Sequence, residues 1–290
     1  MAQDYSINID REPVIMGILN VTPDSFSDGG KFYNKIDAAL AHVEKMTNDG
    51  AKIIDVGGES TRPGYTPITI KEELDRVIPV IEAIRKRFEV PLSIDTYKAA
   101  VAQAAVDAGC DMINDIWGFR GHMALKHMKF NDTSLETPFV KSMAKVVAET
   151  GVPVIVGHNR FKPKYDDFMQ DVLNDLRESI DLGHAAGVRD QQIIVDPGVG
   201  FAKTYKQNLY IVNHIEEIRK MGYPVLIGCS RKSVIRETLK VDDSNDILGG
   251  SVATTVIGLE RGARLFRVHD VKENYQAMMT AWKFMNSQRY

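Results

Sequence analysis

The chain has 290 residues, of which 44% are hydrophobic and 26% charged, a composition typical of a globular protein with a large buried core. Its formal net charge is -3, without a basic patch or an apolar run as long as a membrane span, so we expect neither a nucleic-acid nor a membrane partner. Two cysteines without metal-site spacing and a polar N-terminus without a signal pattern indicate a cytoplasmic location.

Eight short apolar segments recur along the chain, each followed by polar or glycine residues. Runs this rich in Val and Ile predict parallel strands buried on both faces. Amphipathic segments between them predict helices, several with a glycine at the C-cap. The predicted strands are 14–20, 52–58, 91–96, 112–116, 153–158, 192–198, 224–230 and 264–270. The predicted helices include 36–46, 71–88, 99–109, 142–150 and 172–187, and the C-cap glycines are Gly50, Gly109, Gly151, Gly187 and Gly222.

The alternation of strand and helix predicts the architecture. Strands separated by helices form parallel sheets, and eight such units favour a closed barrel over an open sheet. No linker or shift in composition divides the chain. We therefore expect a single (β/α)8 TIM barrel of the α/β class, with residues 1–290 as one domain. The irregular segment 118–141 is predicted to be a long loop with a short helix.

Polar side chains stand at the C-terminal ends of all eight predicted strands, where barrels of this kind place their active sites. A single aspartate there is commonly a helix cap, but capping does not require lysine, arginine or histidine. We predict a substrate site at this end of the barrel, with a structural ion-pair network as the alternative. The residues are Asn20, Asp55 with Glu59, Asp95, Asn114 with Asp115, His158, Asp196, Lys232, and Arg267 with His269.

These side chains divide into two groups by chemistry. Buried acceptors suit the N–H edge of an aminopyrimidine, and cations suit a phosphate group. Together they indicate a substrate with a flat, nitrogen-rich head and a phosphorylated tail. The acceptors are Asp95, Asn114 and Asp196. The cations are Arg62, Lys232, Arg267 and His269.

Two loops follow the first two strands and overhang the same end of the barrel. Residues 21–33 and 59–67 combine Gly, Pro, Ser and Asp without hydrophobic periodicity, which predicts mobile loops over the site, with ordinary surface turns as the alternative. A third segment, 198–204, is similar to a phosphate-binding P-loop. We exclude that motif because Ala202 precedes Lys203 and the glycine spacing is one residue short.

Seven segments match one family in order and spacing, over nearly the whole chain. In these segments the sequence resembles the dihydropteroate synthases, and the first two are long enough to be highly specific. The segments are GILNVTPDSFSDGG (17–30), DVGGESTRPG (55–64), IDTYKA (94–99), IND (113–115), IVDPGVGFAKT (194–204), GCSRKS (228–233) and RVHDV (267–271).

The resemblance implies a transferase of folate biosynthesis. Such enzymes join (7,8-dihydropterin-6-yl)methyl diphosphate to 4-aminobenzoate by an SN1-like path, releasing diphosphate and 7,8-dihydropteroate. The resemblance also implies Mg²⁺ as cofactor, a homodimer, and sulfonamides as competitors of 4-aminobenzoate. Two alternatives stay open: a pterin-binding methyltransferase of the methyltetrahydrofolate type, and a non-catalytic pterin-binding paralogue.

The resemblance also implies roles for individual residues. The pterin would be held by Asp95, Asn114, Asp196 and Lys232. The diphosphate would be bound by Thr61, Arg267 and His269. The 4-aminobenzoate site would consist of Phe26, Arg62, Pro63, Phe201 and Ser233. Mg²⁺ would be contacted by Asn20, and the catalytic residues would be Asp95, Lys232, Arg267 and His269.

One departure from the family pattern concerns the wall of the pterin pocket. After the fifth strand the sequence reads Gly157-His158-Asn159, where many members have methionine first and pack it on the pterin. We therefore expect Gly157 to loosen that packing.

Overall fold

A computed structural model of the chain describes residue 9 and residues 11–22, 32–60, 67–127, 142–242 and 247–287. Within these ranges the sheet has eight strands in the order β6-β5-β4-β3-β2-β1-β8-β7, and every named pair is parallel. A parallel bridge between Val195 and Val225 joins the two ends of the sheet. The sheet thus closes into the predicted barrel, with the helices around it.

All eight predicted strands are confirmed. They are β1 Val14–Asn20, β2 Ile53–Gly57, β3 Leu92–Asp95, β4 Met112–Asp115, β5 Val154–Gly157, β6 Ile193–Asp196, β7 Leu226–Ile227 and β8 Leu265–Val268. The helices are α1 Phe32–Asn48, α2 Ile70–Arg87, α3 Ala99–Asp107, α4 Gly121–His127, α5 Met143–Thr150, α6 Phe168–Ala186, α7 Tyr205–Asn213, α8 Ile215–Arg219, α9 Ser233–Leu239, α10 Leu248–Glu260 and α11 Val271–Met285.

The largest difference in bounds is β7, which has two residues where the sequence predicts seven. Pro224, at its start, has no N–H to donate to a sheet ladder. Val225 meets β6 through an isolated bridge, whereas its carbonyl accepts from the N–H groups of Arg264 and Leu265 on the side of β8. The barrel is therefore joined most sparsely between β6 and β7.

The core of the described residues has two large clusters and a small third one that includes Ile116 and Trp117. Residues that point into the barrel form one cluster, which includes Met16, Ile53, Ile155, Ile194 and Leu265. A larger cluster fills the space between the outer face of the sheet and the helices. Strands buried on both faces need apolar residues in nearly every position, which is why they appear in the sequence as near-continuous apolar runs.

The helix ends follow the predicted chemistry. All five glycines predicted as C-caps have a positive φ, for example 75° at Gly151 and 101° at Gly187, a backbone conformation that costs glycine little.

The short helix predicted within 118–141 is α4, and the rest of that segment from residue 128 lies outside the described residues. Most of the two predicted loops, 23–31 and 61–66, also lies outside them. Among the helices described, none is long and apolar enough to cross a membrane.

Candidate active site

The polar residues of the site lie directly above the apolar interior of the barrel. Residues two positions apart on a strand face the same side of the sheet, so an inward apolar residue is followed by an inward polar one at the strand end. The pairs are Ile53 and Asp55, Met112 and Asn114, Ile194 and Asp196, and Leu265 and Arg267. The alternation alone thus brings side chains that are distant in sequence to one end of the barrel.

Arg267 is the centre of this cluster. Its Nε donates to Asp55 Oδ2 and its Nη2 donates to Asp95 Oδ2, both at 2.6 Å. Asn114 Nδ2 also donates to Asp55 Oδ2, at 3.0 Å. The other oxygen of each carboxylate, Oδ1 of Asp55 and of Asp95, is buried without a hydrogen-bond partner in the described part of the chain. Buried carboxylate oxygens rarely stay unpaired, so these two atoms are available to N–H groups of a ligand.

Burial and charge set the protonation of this cluster. Burial, together with the charge of Asp55, raises the pKa of Asp95 to about 7, although Arg267 opposes the rise. Burial disfavours the charge of Arg267, but Asp95 and Asp55 outweigh it and raise the arginine pKa further above its usual range. Arginine therefore stays charged, and Asp95 is the member of the cluster that can change its proton near neutral pH.

Asp196 and Lys232 lie next to one another on the other side of the barrel end. Asp196 Oδ1 accepts from the backbone N–H of Gly198 at 2.7 Å, and Lys232 donates to the carbonyl of Val199. The ammonium of Lys232 lies 4.7 Å from the centroid of the Phe201 ring. Burial raises the pKa of Asp196 and lowers that of Lys232, and each of the two charges opposes the shift of the other.

Three further predicted residues lie at the same end of the barrel. His269 Nδ1 and Ser230 Oγ form a hydrogen bond of 3.1 Å, whose donor depends on the imidazole tautomer. The backbone N–H of His269 donates to the same oxygen at 3.1 Å. Ser233 is the first residue of α9 and is exposed. Asn20 ends β1, where its Oδ1 and the Asp95 carboxylate both border Gly57. Four other predicted residues lie outside the described part of the chain: Phe26, Thr61, Arg62 and Pro63.

Asp55 is the residue whose role the sequence did not reveal. It stands at a strand end like the others, but its importance comes from its fully buried position and its two donors, Arg267 and Asn114. The available signal was a carboxylate inside the apolar run IIDVG. A buried charge requires a partner, and only the folded barrel shows which residue that is.

Gly157 has a packing role within the barrel that the sequence did not indicate. A Cβ atom at this position would lie 2.7 Å from Ile116 Cα and 2.9 Å from the Asp115 carbonyl oxygen. The backbone that follows β4 thus occupies the space that a side chain would need. In this chain the glycine allows β5 and the turn after β4 to approach closely, whatever its effect on a pterin.

We therefore expect Gly157→Ala to destabilise the fold by about 1–3 kcal/mol, the usual range for overpacking. Gly228→Ala is a matched control, because it is also a strand-end glycine but the atoms nearest to its Cβ, all of Arg267, would lie at an ordinary 3.7 Å or more. Urea unfolding of both variants measures the difference. Equal stabilities would contradict the close approach at Gly157.

The sequence is similar to known enzymes along nearly its whole length. The family model described as pterin binding enzyme matches residues 16–269. A dihydropteroate synthase of Clostridium beijerinckii is 52% identical over 271 residues, which cover 93% of this chain and 93% of the relative.

Solved structures agree with this similarity. A dihydropteroate synthase from Clostridium difficile, determined in the presence of pteroic acid, superimposes with a TM-score of 0.85 at 42% identity and covers 96% of this chain and 98% of its own. One from Xanthomonas albilineans in complex with 7,8-dihydropteroate has a TM-score of 0.82 at 37% identity, covering 96% of this chain and 95% of its own.

Proposed function

Since this chain belongs to the dihydropteroate synthases, within the pterin-binding enzymes, we propose how its residues divide the work of the reaction. The enzyme is a transferase that joins (7,8-dihydropterin-6-yl)methyl diphosphate to 4-aminobenzoate, giving 7,8-dihydropteroate and diphosphate. The observation that carries this function is the 52% identity to a dihydropteroate synthase over 93% of the chain. Relatives this similar over most of their length share the barrel fold.

The pterin ring would occupy the half of the site around Asp95, Asn114 and Asp196. The unpartnered oxygens Oδ1 of Asp95 and of Asp55 support this placement, because each is a buried acceptor for a ring N–H. Lys232, which lies beside Asp196, would donate to a ring acceptor. Such a pocket favours pterin over a purely apolar ring, since unpaired buried carboxylates penalise any ligand without N–H donors.

The diphosphate would lie against Arg267 and His269, with Thr61 as its third predicted contact. Mg²⁺ would be held there by Asn20 together with diphosphate oxygens and water, an arrangement usual for Mg²⁺ on phosphorylated substrates. The described residues include no group of three His, Cys, Asp or Glu side chains able to hold a metal. The site therefore suits a metal that is held mainly by oxygens of the substrate. When bound, the metal would neutralise the charge of the departing diphosphate.

The 4-aminobenzoate would bind between Phe201 and Ser233, near the cation of Lys232. Phe26, Arg62 and Pro63 complete the predicted site. Bond cleavage comes first in the SN1-like path: the C–O bond breaks, and its electron pair leaves with the diphosphate. The amine nitrogen then attacks the methylene carbon and loses one proton. The carboxylates of Asp95 and Asp196 stabilise the positive pterin between the two steps.

One assay separates this function from its alternatives. We expect diphosphate release to require both 4-aminobenzoate and Mg²⁺, with dihydropteroate formed in equal amount and a sulfonamide competing with 4-aminobenzoate. A methyltransferase would release no diphosphate, and a non-catalytic paralogue would bind pterin without turnover. Release of diphosphate at the same rate without 4-aminobenzoate would overturn the proposed reaction.

The chain would act as a homodimer that uses the outer face of α10 and α11. This face forms an apolar groove, and Phe284 at its edge is 78% exposed. The small and apolar residues of this groove would let two copies of the chain pack closely. Exposed apolar patches of this kind commonly mark contacts between proteins. The groove's apolar lining residues are Leu248, Gly249, Val252, Val256, Ala277, Ala281 and Phe284, and Glu273, Gln276 and Thr280 complete the lining.

We expect Val252→Lys to shift the protein from dimer to monomer in sedimentation experiments, because it places a charge in the middle of this groove. Leu182→Lys is the matched control: it changes a similarly apolar residue, 42% exposed, on the distant helix α6. A monomeric parent protein, or a dimer unaffected by Val252→Lys, would contradict this interface.

The proposed location is the cytoplasm, which the two buried free cysteines support.

A further inference from the structure

Lys203 lies in the connection between β6 and α7, and the proposed reaction assigns it no role. Its Nζ contacts three acceptors: His158 Nδ1 at 2.8 Å, the Gly198 carbonyl at 2.9 Å and the Phe201 carbonyl at 3.1 Å. Burial lowers the pKa of Lys203 to about 7. In its protonated form the lysine has three N–H donors, and these three acceptors use all of them. The lysine of the P-loop-like segment is thus directed at the backbone of its own loop.

His158 connects Lys203 to helix α6. The imidazole is fully buried, and its Nε2 lies 2.9 Å from Asp175 Oδ2. Because Nδ1 accepts from Lys203, the ring proton is on Nε2 and is donated to Asp175. Burial, reinforced by the charge of Lys203, lowers the pKa of His158 to about 3, which keeps the ring neutral. Asp175 is fixed in turn by Arg160, whose Nε donates to it at 2.6 Å.

The loop that Lys203 holds, residues 197–204, has little freedom. Gly198 has a φ of 69°, and a Cβ there would lie 1.9 Å from the His158 carbonyl oxygen. Lys232 also contacts the loop, where it donates to the Val199 carbonyl. Two lysines therefore fix the backbone of one short loop, and that loop carries the Phe201 ring.

We propose that Lys203, supported by His158, is a positioning residue for the 4-aminobenzoate half of the active site. The inference rests on the proposed function, which assigns Phe201 to that half. Lys203 acts through the carbonyls of Gly198 and Phe201, and thereby sets the direction of the aromatic ring. Strand β6 holds the backbone of Asp196 without the lysine, and of this loop only the Gly198 N–H donates to its carboxylate. The loss of Lys203 should therefore affect one substrate more than the other.

The test is steady-state kinetics of Lys203→Met, which keeps most of the aliphatic chain and removes the donors. We expect the KM for 4-aminobenzoate to rise about tenfold, the effect of one or two lost hydrogen bonds. The KM for the pterin diphosphate and kcat should stay within about threefold of the parent values, since the groups that act on them are unchanged. A purely structural defect would instead lower kcat and raise both KM values together.

Three comparisons complete the experiment. Lys203→Arg keeps N–H donors and should restore most of the affinity for 4-aminobenzoate, whereas Lys206→Met, which changes an exposed lysine of α7, should behave like the parent. His158→Leu should reproduce the selective KM effect and replaces Lys203→Met if that variant does not fold. An unchanged KM for 4-aminobenzoate, or equal losses for both substrates, would overturn the inference. An inactive parent protein would instead overturn the proposed function.

Discussion

Arg267→Ala is expected to lower kcat/KM by about 10²–10³-fold, the usual loss when one positioned group that stabilises transition-state charge is removed. The arginine would contribute in two ways. It would present a cation to the departing diphosphate, and it neutralises Asp55 and Asp95, with which it makes two ion pairs of 2.6 Å. Without it, the two buried carboxylates would repel one another and the leaving group.

Two variants separate these contributions. Arg267→Lys keeps a positive charge but cannot donate to both carboxylates in the same fixed fork, so it should lie between the parent and Arg267→Ala. The double variant Arg267→Met with Asp55→Asn removes one cation and one anion. We expect it to recover part of the stability that Arg267→Ala loses while remaining almost inactive, which steady-state rates and urea unfolding together would show.

Arg85→Ala provides the matched control for this series. Arg85 also pairs with an aspartate, Asp111, and is similarly shielded, with 18% of its side chain exposed, but Asp111 precedes β4 at the opposite end of the barrel. This variant should lose stability and keep its turnover number. Near-normal activity in a folded Arg267→Ala protein would remove Arg267 from the catalytic residues.

The sequence predicts the barrel and the end at which its site lies because both depend on local patterns. Apolar runs define the strands, and the period of two along a strand places Asp95, Asn114 and Asp196 on its inner face. The register then aligns Asp95 with Asn114 and Gly157 with Asp196. These relations follow from the fold class, so they need no knowledge of individual contacts.

The partners of the charged residues could not be predicted in this way. Arg267 and Asp55 are 212 residues apart, and they meet because β1 pairs with β8 on one side and with β2 on the other. The sequence assigns Arg267 to a phosphate by residue type, whereas the structure shows it first as the counter-ion of two carboxylates. His158 and Lys203 likewise meet across 45 residues. Residue type indicates what a side chain can bind, and topology decides which neighbour it meets.

Lys98→Met is expected to have the largest effect on stability, about 3–5 kcal/mol, the cost of removing one partner from a buried ion pair. Lys98 is completely buried, and its Nζ lies 2.5 Å from Glu59 Oε2 and 2.6 Å from Glu73 Oε2. Glu59 also accepts from the Tyr97 hydroxyl at 2.6 Å and from the Ile68 backbone N–H at 3.0 Å. Without the lysine, two adjacent carboxylates would remain buried with no cation between them.

The pH dependence of this loss identifies its cause. Burial already raises the pKa of Glu73 in the parent protein, and Lys98 opposes the rise. In the variant, the folded-state pKa of Glu73 should therefore lie further above the unfolded value of about 4.3. A group shifted in this direction contributes stability below its unfolded pKa and loses it as the pH rises through its folded pKa. The difference in unfolding free energy between parent and variant should thus be small near pH 4.5 and largest at neutral pH.

Urea unfolding at a series of pH values measures this difference. Adding Glu73→Gln to Lys98→Met should recover part of the stability at neutral pH, because it leaves a single buried carboxylate. Lys71→Met is the control: Lys71 pairs with Asp75 one helical turn away, but 83% of its side chain is exposed, so its removal should change little at any pH. If the Lys98→Met difference were the same at pH 4.5 and pH 7.5, lost packing around the lysine would explain it better than uncompensated charge.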